Sequence, residues 1–339
     1  MSKRKFLVTG IAGFMGSHIA DALLNKGYEV VGIDNLVGGY KENIPDRVKF
    51  LQADLNDLDA ISPFFKGVDT VVHTACTAYE GLSVFSPNLV TRNTFQITAS
   101  TISASIQNNV RKFVNMSSMA RYGTQETTPF YEYMVPNPQD PYGIAKYASE
   151  LLRKNCAETH GMAQVTVVPH NIIGPRQKYD DPYRNVASIM INRMIQGKQP
   201  IIYGSGDQKR CFSFMSDVVE PIIAVCETDV VDGLVINIGP DEEFVTINEL
   251  AEKLAIILKF ELDPIYLPER PREVFNANCS ADLARKLLNY RTTTTLEDGL
   301  SHLVDWIKEQ GSKKFNYHLP VEIINSNTPR TWTSDILNA

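Results

Sequence analysis

The sequence predicts an α/β protein, a doubly wound parallel sheet with a smaller α/β lobe. Three observations carry that prediction. Short β-rich apolar runs alternate with helical patterns through the first half of the chain. A glycine-rich turn joins the first run to the first helical pattern. After about residue 170 the alternation loosens, and Pro and Gly punctuate the chain at Gly174-Pro175, Gly197, Pro200, Gly204 and Gly206. Short buried strands joined by crossovers make parallel βαβ units.

The predicted strands are residues 6–8, 30–33, 48–51, 70–72, 112–114 and 165–168, each about one helix length or less from the next. A helical pattern over 17–25 follows the glycine turn. In the second half, residues 235–238 are a strand candidate, 248–258 a helix, and 267–271, with Pro268 and Pro271, a loop. The expected division is a first unit of residues 1–168, with 212–239 returning to it, and a lobe formed mainly by 169–339. That lobe sits over the C-terminal edge of the sheet, where ligands of open α/β folds bind. No linker separates the two, so they share an interface.

Composition excludes several functions. The 339 residues are 43% hydrophobic and 21% charged, as in an ordinary soluble protein with a core of useful size. Net charge is −6 with no basic run, which argues against nucleic-acid binding. An anionic ligand must then be held by a few placed basic groups. The five cysteines (Cys76, Cys156, Cys211, Cys226 and Cys279) are scattered and form no CxxC pair, as expected of free thiols in a reducing compartment. No metal site is expected. No apolar run approaches the ~20 residues of a membrane span, and residues 6–8 after the basic start are too short for a signal core. The expected location is the cytoplasm, with no membrane partner.

The glycine turn is Thr9-Gly10-Ile11-Ala12-Gly13-Phe14-Met15-Gly16. Its glycines permit a tight turn and a close approach of backbone to a pyrophosphate, and the helix behind it offers unpaired N–H groups and a positive dipole end. Glycine spacing alone is weak evidence. Here a strand precedes it, a helix follows, and a second strand ends in the acid Asp34. A carboxylate there accepts hydrogen bonds from both ribose hydroxyls and repels a 2′-phosphate, and Asn35 supplies no cation, which selects NAD over NADP. The bland reading is that Gly13 and Gly16 only permit helix–strand packing. Asp54-Leu55, after the third strand, are placed to frame the adenine; a turn aspartate is the competing account.

Tyr142-Gly143-Ile144-Ala145-Lys146 puts a phenol and an ammonium one turn apart on one helix face, after Pro141. A free tyrosine, pKa near ~10, is a poor base at neutral pH. The ammonium and a positive nicotinamide ring are expected to favour the phenolate, so that Tyr142 takes a hydroxyl proton as hydride leaves the same carbon. Lys146 would also reach the nicotinamide ribose. Such a pair usually decorates a solvated helix face; its weight comes from Met116-Ser117-Ser118, which ends the fifth strand at the same sheet edge. Ser118 would share the proton path and hold the reacting oxygen, with Ser117 as the other choice.

These residues resemble, in order, the extended short-chain dehydrogenase/reductases, the family of nucleotide-sugar epimerases and dehydratases. The resemblance rests on GxxGxxG, Asp34-Asn35, Val72-His73-Thr74-Ala75, Asn93, Ser118 with Tyr122-Gly123, Tyr142-x-x-x-Lys146, and Asn171 with Gly174-Pro175. It continues through the run from Tyr203-Gly204 to Asp217-Val218, including Arg210, and ends at Arg270-Pro271. It covers residues 5 to about 310. It implies a Rossmann sheet, a tightly held NAD contacted also by Thr74, Ala75 and Asn93, and a nucleotide-diphosphate sugar oxidised at C4 to a 4-keto intermediate. Asn171, Arg210 and Arg270 would grip the diphosphate or nearby atoms; Arg272 is expected to be a surface ion pair. Relatives dimerise through the helix after Asn93 and the helix carrying Tyr142, and Ile97, Thr101, Ile102, Ala104 and Ser105 would permit close approach there.

Which reaction follows the oxidation is partly legible. Dehydratases of the family carry an acidic residue two positions after the active-site hydroxyl, and 3,5-epimerases a cysteine; here Met119 and Ala120 follow Ser118 and neither titrates. The economical chemistry is 4-epimerisation. Net 4-dehydrogenation and, through Glu80 as a hidden acid, 4,6-dehydration are the alternatives; a non-catalytic NAD sensor would lack the Tyr–Lys pair or the hydroxyl. Glu80 is either a sugar ligand or a solvated loop residue. His170 replaces an aromatic residue of the family pattern and is either packed or near the nicotinamide. The tail, residues 315–339 with Trp332, exceeds the family core and has no function legible in the sequence.

Overall fold

The computed structural model describes residues 4–241, 243–271, 276 and 278–339. Among them, seven strands form one sheet: β1 Lys5–Thr9, β2 Glu29–Asp34, β3 Lys49–Gln52, β4 Thr70–His73, β5 Lys112–Met116, β6 Ala163–Pro169 and β7 Val235–Ile238. Their order is β7-β6-β5-β4-β1-β2-β3, and every pairing is parallel. The chain reverses direction across the sheet between β1 and β4, so a crevice opens beyond their C-terminal ends.

Alternation along the strands explains the layering. Phe6, Val8, Val72, Val114 and Val165 face one way and pack with α1 (Phe14–Asn25). Leu7, Val71 and Phe113 face the other way, toward α2 (Ile97–Gln107) and α3 (Pro141–His160). Helix α3 is well specified locally: Asp140 caps it by accepting the Gly143 N–H at 2.9 Å, Pro141 opens its first turn, and Gly161 at φ 68° ends it.

The second lobe has its own apolar cluster, in which α4 (Val186–Ile195), α6 (Ile247–Leu258) and α7 (Leu296–Gln310) meet. Between them in sequence, α5 (Met215–Glu227) leaves the lobe and packs on α1, and β7 then pairs with β6. Ala281, Ala284, Leu288 and Tyr290 join that same first-face cluster, a return the sequence does not signal.

Three further differences have local causes. Helix α1 begins at Phe14, before the apolar pattern starts at residue 17, because Gly16 lets the helix lie against the turn: a Cβ there would sit 2.2 Å from the Gly10 carbonyl oxygen. Leu267 ends a short strand, Ile265–Leu267, paired with Ile201–Tyr203, so the loop starts one residue later than expected. On α2, Ile97, Thr101, Ile102, Ala104 and Ser105 are all buried within the chain, and Thr101 and Ser105 donate to carbonyls one turn back. They are therefore not a contact face for a second subunit.

Candidate active site

A cavity of about 520 Å³ occupies the crevice, and a chamber of about 200 Å³ adjoins it. One half of the large cavity is built by the glycine turn. Gly10 sits at φ +71°, with Ala75 backbone 2.9 Å from where its Cβ would be, so only glycine fits. Gly13 precedes α1, and no side chain caps that helix start. Gly13, Phe14, Met15 and Gly16 line the cavity, leaving a helix N-terminus aimed at an anion. Asp34 and Asn35 lie at the end of β2, with Asp54, Leu55, Thr74, Ala75 and Asn93 around them.

Asp34 is 7% exposed and pins its own loop, accepting the Ala12 N–H at 2.9 Å and the Leu36 N–H at 2.7 Å. Burial raises its carboxyl above the usual range, and those backbone donors pull it back. Asp54 has both features anticipated for it: it closes a turn on Asn56 at 2.9 Å and also lines the cavity. Asn93 lies in a π turn, Arg92–Gln96, whose extra residue turns it toward the cleft.

The other half brings Ser118, Tyr142 and Lys146 together. Ser118 lies just beyond β5, caps the turn that follows by accepting the Ala120 N–H at 3.2 Å, and lowers the Tyr142 phenol against the other influences on it. Lys146 lies one turn along α3, its Nζ 5.8 Å from the Tyr142 ring centroid and donating to the Met116 carbonyl at 2.8 Å. Ser117 points away and donates to the buried Glu150 carboxylate. The phenol of Tyr142 is pushed well above its ordinary value, first by burial, then by the neighbouring Cys76, Glu80 and Asp140, with Ser118 acting the other way.

Where the two spaces meet, Glu80, Asn171, Arg210 and Arg270 line both the cavity and the chamber. Asn171, at φ 45°, buries an Nδ2 donor that has no hydrogen-bond partner among the described residues, a group waiting for an acceptor. Arg270 lies 5.1 Å over the Tyr203 ring. Arg272 lies outside the described residues. His170 is fully buried, bonded through Nε2 to the Pro240 carbonyl at 2.6 Å; it is a packed histidine. No group of three or more His, Cys, Asp or Glu among the described residues is placed to hold a metal ion, and no disulfide joins the five cysteines.

The NAD dependent epimerase/dehydratase family profile matches residues 6–239. The chain belongs to that family. NAD is its cofactor, and the residues present fit it: an uncapped helix start behind Gly13 for the pyrophosphate and an acid, not a cation, at the end of β2. Solved structures of similar fold include UDP-glucose 4-epimerase from Thermotoga maritima with UDP-glucose, 30% identical, TM-score 0.85, covering 90% of this chain and 99% of that one. UDP-N-acetylglucosamine 4-epimerase from Methanobrevibacter ruminantium M1, in complex with UDP-N-acetylmuramic acid, is 31% identical at TM-score 0.84, covering 92% and 100%. UDP-glucuronic acid 4-epimerase from Bacillus cereus, with UDP-glucuronic acid and NAD, is 29% identical at TM-score 0.84, covering 91% and 100%.

Within this epimerase/dehydratase frame, Arg184 and the tail are among the contributors to the cavity wall that the sequence misses. Arg184 donates to the Gly38 carbonyl at 2.8 Å, lies 4.7 Å over the Tyr79 ring and pairs with the buried Asp181 at 3.5 Å. It thereby ties the loop after β2 to the second lobe. The only sequence signal was an arginine beside the aspartates Asp180-Asp181, after Gly174-Pro175. The second contributor is the tail, through Thr331, Trp332 and Leu337. No motif marks it.

Proposed function

We propose that the protein is a nucleotide-sugar 4-epimerase. The observation that carries this reading is the surroundings of the Tyr142–Ser118 pair. Met119 and Ala120 follow in a short 3-10 turn, and neither can add or remove a second proton. Asp140, just before α3, is committed to capping that helix.

Bound in this cavity, NAD would supply the reversible hydride acceptor for C4. The rest is done by this chain. Tyr142 takes the C4 hydroxyl proton, Ser118 holds the reacting oxygen, and Lys146 adds positive charge beside the phenol and reaches the nicotinamide ribose. Lys146, with the positive charge a bound nicotinamide would add, would act against the burial that raises the Tyr142 phenol. Asn171 donates its Nδ2–H to the substrate, and Arg210 and Arg270 grip the diphosphate. Glu80 contacts the sugar hydroxyls. Gly10, Gly13, Phe14, Met15, Gly16, Asp34, Asn35, Asp54, Leu55, Thr74, Ala75 and Asn93 hold the cofactor. With hydride delivered to the other face of the 4-keto sugar, Tyr142 would give its proton back to the C4 oxygen, and the product would be the C4 epimer.

The protein acts in the cytoplasm as a homodimer. Its free thiols suit a reducing compartment, and no helix among the described residues is long and apolar enough to cross a membrane. Ile144 and Leu151, each 53% exposed on α3, supply the apolar contact between subunits that α2 does not.

The test is a screen of nucleotide sugars by NMR with wild type and Tyr142→Phe. Wild type should yield a C4 epimer of equal mass, and the variant should lose about 10²–10⁴-fold in turnover while keeping its NAD. Undiminished turnover in the variant sinks the mechanism. Loss of water from the sugar would point to Glu80 and dehydration, and a keto product with reduced cofactor to net dehydrogenation.

A further inference from the structure

Residues 315–339 do not hang free. Glu322 accepts from the Asn88 and Leu89 N–H groups at 3.0 and 2.8 Å, and the Ile323 N–H donates to the Phe85 carbonyl at 2.8 Å. Trp332, 7% exposed, packs edge-on against Phe85 with centroids 5.9 Å apart and donates to the Pro182 carbonyl at 3.3 Å. At the far end, Arg193 donates to the Ile336 and Leu337 carbonyls, and Asn338 bonds back to Phe315 at 2.7 Å. The tail therefore forms part of the cavity wall, anchored on the segment after β4 at one side and on α4 at the other.

What it presents to the cavity is specific. The Thr331 hydroxyl meets the Tyr203 hydroxyl at 2.5 Å, and Leu337 packs with Ile201 and Phe315. Thr331, Leu337, Ile201 and Tyr203 line the large cavity but not the chamber that adjoins Ser118, whereas Arg210 and Arg270 line both. Arg270 over the Tyr203 ring links the two regions. A nucleotide sugar is linear: sugar, diphosphate, nucleoside. With the sugar at Tyr142 and the diphosphate on the arginines, its nucleoside falls at the Tyr203 end.

We propose that the tail is part of the nucleotide-sugar site, with Thr331 and Leu337 forming the wall against which the nucleoside of a nucleoside-diphosphate sugar packs. This rests on the reading under Proposed function. The tail is then a specificity element: it meets the base and ribose, not the diphosphate.

The test is calorimetric titration of the NAD-loaded protein with UDP, TDP, GDP and inorganic pyrophosphate, comparing wild type with Leu337→Ala, the near-isosteric Thr331→Val and their combination. We expect the preferred nucleoside diphosphate to bind about tenfold more weakly to the combined variant, a loss of ~1.4 kcal/mol, with pyrophosphate binding unchanged. Thr331→Val keeps the side-chain volume and serves if Leu337→Ala does not fold. Unchanged nucleoside-diphosphate affinity in a folded variant overturns the assignment. So does an equal loss for pyrophosphate, since the tail would then only be shaping the cleft. Wild type binding none of the three nucleotides overturns the underlying functional reading, and does so before any variant is compared.

Discussion

The carboxylate of Glu150, on the helix that carries Tyr142, accepts the hydroxyl proton of Ser117, the residue directly before Ser118. Arg121 closes the group, its Nε donating to both Glu150 oxygens at 2.9 and 3.0 Å. Arg121 and Glu150 are 4% and 5% exposed. This buried clamp joins the end of β5 to α3, and so sets Ser118 against Tyr142.

Breaking one side of such a pair strands a buried charge. Glu150→Gln should destabilise by about 3–5 kcal/mol, measured by urea unfolding, and lower kcat more than KM because it loosens Ser118. The double substitution Arg121→Met with Glu150→Leu removes both charges and should cost less than Glu150→Gln alone. A double variant less stable than the single would contradict this account.

Acid should destabilise the fold through its buried histidines. His73 is bonded to Thr9 and Thr98 and held neutral down to about 3, mainly by burial, with Lys146 adding to the effect. Burial also lowers His18 and His170. As pH falls below ~6.5 the unfolded chain takes up protons at these sites and the folded chain does not, so stability falls, by about 1.4 kcal/mol per pH unit for each such proton. For His73 that loss continues toward pH 3. The raised carboxyls of Asp34 and Asp140 act in the opposite sense, since the folded state protonates them first. Comparing wild type with His73→Asn at pH 7.5 and 5.5 isolates the histidine: the variant's stability should depend less on pH. An equal pH dependence would refute it.

The dimer proposal makes α3 the contact. Leu151→Glu places a charge at its exposed apolar position, far from Tyr142. Sedimentation should show the wild-type dimer becoming a monomer of unchanged fold. A wild-type monomer, or a variant still dimeric, rejects this face.

The sequence by itself determined the sheet and the outline of the site. Strand positions come from short apolar runs, the glycine turn from Gly10 and Gly16, and the Tyr142–Lys146 pair from helical spacing, all local patterns a few residues long. The tertiary structure alone decided what depends on contacts between distant segments. Glu150 claims Ser117 and leaves Ser118 for Tyr142; Pro240 claims His170. Burial by surrounding elements, invisible in the local spacing, raises the Tyr142 phenol. The tail shows the limit most plainly. Thr331 and Leu337 follow no motif, and they reach the cavity because Glu322, Trp332 and the Leu337 carbonyl anchor the chain on segments 144 to 234 residues away. Side chains that act through such long-range packing leave no periodic trace in the sequence.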